Sequence, residues 1–107
     1  MTMEAYVEKI LAENPDFVEQ MNKRVAEDYA DAIKEAQNEF AQRMEKAKEA
    51  WTKNRGAEAF TENFAEIEES VKAKIPRYCY FKRIELSGDR FEAEIDLITG
   101  EWSIAPV

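Results

Sequence analysis

The chain has 107 residues, of which 23 are acidic and 15 basic, for a net charge of −8. That size fits one domain, and that charge works against direct binding to nucleic acid or to an anionic membrane, since both are polyanions. There is no histidine, so the commonest general base, the usual imidazole metal ligand and every histidine-dependent triad are excluded.

Taken in chain order, Met3, Tyr6, Val7, Ile10 and Leu11 follow helical spacing, with Thr2 as N-cap and Pro15 closing the segment. Asn14 before Pro15 reads as the cap of a second helix, because proline at the first helical position loses no hydrogen bond the helix would make. From there to Asn54 no glycine or proline interrupts the stripe Val18, Met21, Val25, Tyr29, Ile33, Ala36, Phe40, Met44, Ala47, Trp51. The spacing predicts one long helix over about residues 15–54, about 60 Å if unbroken at 1.5 Å per residue. A compact domain of this length is only about 26 Å across. The stripe therefore requires a bend, a break or self-association. Lys53, Arg55 and Gly56 form a helix stop. A third helix from Ala57 to Ile75, with Phe60, Phe64, Ile67, Val71 and Ile75 on one face, is expected to fold back along the second as an αα-hairpin.

Three alternating runs close the chain: Tyr78 to Ser87, Arg90 to Ile98 and Glu101 to Ala105, joined by Gly88-Asp89 and Thr99-Gly100. Read as two-residue hairpin loops, these linkers pair Leu86 with Phe91, Ile84 with Ala93, Tyr80 with Leu97, Leu97 with Trp102 and Ile95 with Ile104. The fold expected is α+β: three N-terminal helices packed on a C-terminal three-stranded antiparallel meander, in a single domain spanning 1–107. The stretch Phe91 to Trp102 resembles the strand-turn-strand close of PepSY-like modules, although the long helix lies outside that pattern and no function is carried over.

The same register sets Glu85, Glu92, Glu94 and Asp96 on the opposite face of the sheet, spaced about 6.7 Å apart along the central strand, with only Arg83 to offset them. A row of this kind is either the wet face of a one-sided sheet or a surface kept for a basic ligand. Beside it, Phe81, Cys79 and Ile98 make one end of the face apolar. Either the first helix covers that end or it is an exposed contact patch bordered by acids. Glu62, Glu66 and Glu69 share a helix face and read as solvated surface, without the Glu-x-x-His pairs of a carboxylate-bridged metal site. No calcium loop, phosphate loop or nucleophile elbow is present in the sequence. The lone Cys79 has no histidine beside it and reads as a small structural thiol, in keeping with a reducing compartment. The opening residues have neither the basic nor the apolar region of a signal peptide, and no apolar run is long enough to span a membrane. A cytoplasmic protein without cofactor, metal or catalytic residue is therefore expected.

By elimination, the expected function is that of a small acidic protein-binding module, of the kind phage and mobile elements use as inhibitors. It would occupy a basic, nucleic-acid-binding surface of a larger protein through Glu85, Glu92, Glu94, Asp96, Phe81 and Ile98. The phage association is an analogy from size and charge. The alternative is a structural or assembly protein that self-associates through the long helix, at Phe40 and Met44.

Overall fold

The computed structural model describes residues 2–107. Among them are α1 (Met3–Glu13), α2 (Pro15–Asp28), α3 (Ala30–Arg55), α4 (Ala57–Glu62) and α5 (Phe64–Ala73), followed by β1 (Tyr78–Leu86), β2 (Asp89–Asp96) and β3 (Glu101–Pro106). The strands form an antiparallel sheet in the order β1-β2-β3. This is the α+β arrangement the sequence predicts.

Local chemistry sets most helix ends. The Thr2 hydroxyl accepts from the Ala5 amide at 3.1 Å and caps α1. Asn14 ends α1, its side chain donating to the Ile10 carbonyl at 2.8 Å, and Pro15 opens α2. Gly56, at φ 93°, separates α3 from α4. Two interruptions arise differently. The run predicted as one long helix divides at Tyr29, whose φ of −116° and ψ of 2° leave the helical region. Neither proline nor glycine stands there; the Tyr29 ring instead packs edge-on against Tyr80, with centroids 5.9 Å apart. The third helix divides at Asn63, whose side chain donates to the Ala59 carbonyl at 2.8 Å and competes with the backbone for it.

The break at Tyr29 shares the apolar stripe between two cores. In the first, α1 and α2 cover one face of the sheet, and Ile10, Met21, Leu86, Phe91, Ala93, Ile95 and Ile104 are buried. In the second, α3 packs on α4 and α5 around Ala36, Ile67, Val71, Ile75 and Ile98, with Phe40, Met44, Trp51 and Phe60 half-buried at its margin. Leu97 touches both. The molecule is accordingly drawn out, 55 × 33 × 18 Å with a radius of gyration of 17.6 Å, against about 13 Å for a compact domain of this length.

Both hairpins are slipped by two residues from the register the turns predict. Ile84 stands opposite Phe91 and Lys82 opposite Ala93, while Ile95 stands opposite Trp102 and Ala93 opposite Ile104. The cause is turn chemistry. The first turn is Ser87-Gly88, with φ of 51° and 83°, the left-handed pair a type I′ hairpin turn needs. Ser87 is tied to α1 there, accepting from the Asn14 amide group at 3.1 Å and donating to the Glu13 carboxylate at 2.9 Å. The second connection, Leu97 to Gly100, is four residues long because the Asp96 carboxylate accepts from the amides of Ile98 and Thr99 at 3.0 and 3.3 Å. A slip of two preserves the face of every side chain, since strand side chains alternate with period two.

One local irregularity does change a face. Between Cys79, opposite Ile95, and Lys82, opposite Ala93, β1 places both Tyr80 and Phe81 against Glu94 alone, which is a β-bulge. It turns Cys79 to the inner side, where it packs half-buried against the first core instead of facing Ile98. Burial pushes its thiol up from the ordinary value, as for an unreactive structural cysteine.

The two cores differ in depth. Phe91, Ala93 and Ile95 are wholly buried, whereas no apolar side chain of α5 is less than 6% exposed. Amide hydrogen exchange should therefore be slowest in β2 and measurably faster in α4 and α5. Amides of α5 that outlast those of β2 would contradict the unequal cores.

Candidate functional site

The outer face of the sheet carries no helix, because α1 and α2 both pack on the inner face. From β2 it presents Glu92, Glu94 and Asp96; from β1, Tyr78, Arg83 and Glu85; from β3, Glu101, Ser103 and Ala105. Arg83 lies opposite Glu92 and Arg90 opposite Glu85. The face is thus less purely acidic than the turn-based register implied, which offset the acids with Arg83 alone. Phe81, in the bulge, is 61% exposed and Tyr78 is 46% exposed.

The structure separates the predicted site residues into two groups. Glu85, Glu92 and Glu94 make no ion pair among the described residues and stay on the outer face, Glu94 opposite the bulge that holds Phe81 and Glu85 at the far end of the pairing. Ile98 does not join them. It lies in the loop after β2, is 8% exposed and belongs to the second core, and its carbonyl accepts from the Gln37 side chain at 3.0 Å. The strand predicted to run through Ile98 ends at Asp96, so the alternation that placed Ile98 beside Phe81 does not reach it.

Asp96 is committed to the fold. Its Oδ2 accepts from Arg77 Nε at 2.9 Å and lies 2.8 Å from Arg77 Nη2, while its Oδ1 holds the loop amides. Partial burial pushes the Asp96 carboxyl up. The Arg77 hydrogen bond, the Thr99 and Ile98 amides and the Arg77 charge outweigh that push and leave it below the usual carboxylate range. The Asp96 hydrogen bond in turn raises Arg77 against the opposing effect of its burial.

A second concavity was not foreseen from the sequence. Between α2 and β1 lies a groove of about 400 Å³, lined by Phe17, Met21, Tyr80 and Ile84 together with Lys23, Arg24, Lys82, Glu27 and Asp28. The one signal that points to it in the sequence is Lys82, a charge at an inner-face position of β1. Among the described residues no group of three or more potential ligands is placed to hold a metal, and no helix is long and apolar enough to cross a membrane.

Asp96 gives a prediction with a definite pH dependence. Asp96→Ala should cost about 1–3 kcal/mol at neutral pH, since it strips Arg77 and two loop amides of their acceptor. A carboxyl lowered by folding adds stability that is present above its unfolded value, about 3.9, and is lost as pH falls through its lower folded value. In urea denaturation the gap between wild type and variant should therefore narrow below about pH 4. A gap that stays constant down to pH 2 would contradict the assignment.

The chain matches no family model, no curated protein and no solved structure. The functional reading therefore rests on geometry and charge.

Proposed function

We propose that the chain is a small acidic protein-binding module that meets a basic surface of a larger protein with the outer face of its sheet. The observation that carries this reading is the bare face itself, where the carboxylates Glu92 and Glu94 of β2, unpaired among the described residues, lie beside the exposed rings of Phe81 and Tyr78 on β1, with Glu85 farther along that strand. Aromatic rings exposed beside charged groups are a usual feature of protein interfaces. Carboxylates at a strand spacing of about 6.7 Å suit a partner whose lysines or arginines otherwise meet phosphates. The finer form of the proposal is an inhibitor, of the kind phage and mobile elements use, occupying a nucleic-acid-binding surface. Asp96 and Ile98 leave the contact set, the first because Arg77 holds it and the second because it is buried.

The reading assigns the chain no reaction, no cofactor and no direct contact with nucleic acid. It places the protein in the cytoplasm, where a lone half-buried cysteine stays reduced. Self-association through the long helix is the weaker reading, because α4 and α5 cover the stripe at Phe40 and Met44 that motivated it.

The test is Glu92→Lys combined with Glu94→Lys, using the partner recovered by pull-down from the source cell. The double variant should lose the partner at low salt with its own stability moved by less than about 0.5 kcal/mol. Wild-type binding should weaken as salt rises, because exposed charges are screened over about 10 Å at 0.1 M. Duplex DNA should compete for the same partner surface. A partner held equally by both proteins at low and high salt would place the interface elsewhere.

A further inference from the structure

β1 is an edge strand, so alternate N–H and C=O groups along its free side have no partner within the sheet. The groove beside α2 runs along it, and two departures from local rules meet there. Lys82 stands opposite Ala93, between Tyr80 and Ile84, where inner-face alternation calls for an apolar side chain. Tyr80 has φ of 63°, a conformation costly for a bulky residue. Its ring is held between Tyr29 and the Arg24 guanidinium, which lies 5.3 Å from the ring centroid. Positions that break a local rule are where function is expected to have imposed a cost on the fold.

Three cations against two carboxylates give the groove a slight positive excess. Lys23, Arg24 and Lys82 form no ion pair among the described residues, in a chain with a net charge of −8. Glu27 and Asp28 follow one turn farther along α2 and bound the cationic part. Between these charges, Phe17, Met21 and Ile84 offer an apolar lining. An edge strand flanked by a helix, with open backbone groups on one side and side-chain pockets on the other, is suited to an added strand.

We propose that this groove takes an extended, acidic peptide segment of a partner, which pairs with the regular part of β1 from Lys82 to Leu86 as a fourth strand. An apolar side chain of the segment rests on Phe17, Met21 and Ile84, and the carboxylate two residues along, which shares its face, meets Lys23, Arg24 and Lys82. An inward lysine and a bulge are also devices that keep an edge strand from pairing indiscriminately. Here they supply selectivity, because the cations repel basic segments and leave apolar ones with a buried unpaired charge, while an acidic segment compensates them. This surface is distinct from the outer sheet face and opposite to it in charge, so it does not rest on the function proposed above.

The probe is the fluorescein-labelled hexapeptide Thr-Glu-Thr-Val-Thr-Glu, which sets glutamate and valine on one face of a strand, titrated against the full chain by fluorescence anisotropy, with amide exchange followed in parallel. It should bind saturably, and amides within Lys82–Leu86 should gain protection. Its affinity should fall at least tenfold for Lys23→Glu with Lys82→Glu, and the same hexapeptide with lysine in place of each glutamate should not bind. Should the charge reversal prevent folding, Lys23→Ala with Lys82→Ala replaces it, and a hexapeptide N-methylated at alternate residues should fail to bind the wild type. Equal affinity for wild type and variant, protection confined to other strands, or no saturable binding to the wild type would each overturn the proposal. In the last case, faster aggregation of the Lys82 variant would mark the lysine as an edge guard alone.

Discussion

The burial of three side chains on the central strand is the constraint from which the rest follows. Phe91, Ala93 and Ile95 have no exposure at all, and strand alternation then sends Glu92, Glu94 and Asp96 to the other side whatever their charge. Helix α1 reaches this inner row through Tyr6, stacked on Phe91 with centroids 5.9 Å apart, and α2 reaches it through Met21. Because both helices are used on one side, the sheet is left with a bare outer face. The proposed contact surface is thus a by-product of how the inner face is filled, with Glu92 and Glu94 half-buried on the central strand.

The second core is attached to the first at the end of β2. The Arg77–Asp96 pair and the loop amides on Asp96 fix the chain where it leaves the sheet, and Leu97, which donates to the Arg77 carbonyl, then packs against both clusters. Gln37 of α3 holds the next residue through the Ile98 carbonyl. A few polar contacts around one loop therefore position a long helical hairpin whose own core is shallow. This arrangement explains how a chain of 107 residues reaches 55 Å in length.

Much of this was legible in the sequence, for identifiable reasons. Thr2, Pro15 and Gly56 punctuate the helices, and the alternation of Phe91, Ala93 and Ile95 with Glu92, Glu94 and Asp96 gives both faces of β2. The two-residue slips left those faces unchanged. Reading Ser87-Gly88 as the turn would have removed the first slip, since type I′ turns favour glycine in the second central position. The break at Tyr29 was not legible because neither proline nor glycine marks it, and what meets it there is a tertiary contact with Tyr80. Ile98 misled because a loop residue continued the strand's spacing, and Asp96 because its partner Arg77 precedes the first strand. The groove requires α2 to lie beside β1, a juxtaposition that only Lys82 hinted at.

The dependence of the whole fold on the inner row of β2 is tested most directly by urea denaturation of Phe91→Ala. The account predicts a loss of about 3–5 kcal/mol, the usual cost of emptying a fully buried aromatic site, with both cores affected in one transition. That is a large share of the about 5–15 kcal/mol that holds a domain of this size folded. A loss below about 1 kcal/mol, within the range of surface substitutions and volume-conserving swaps, would contradict it.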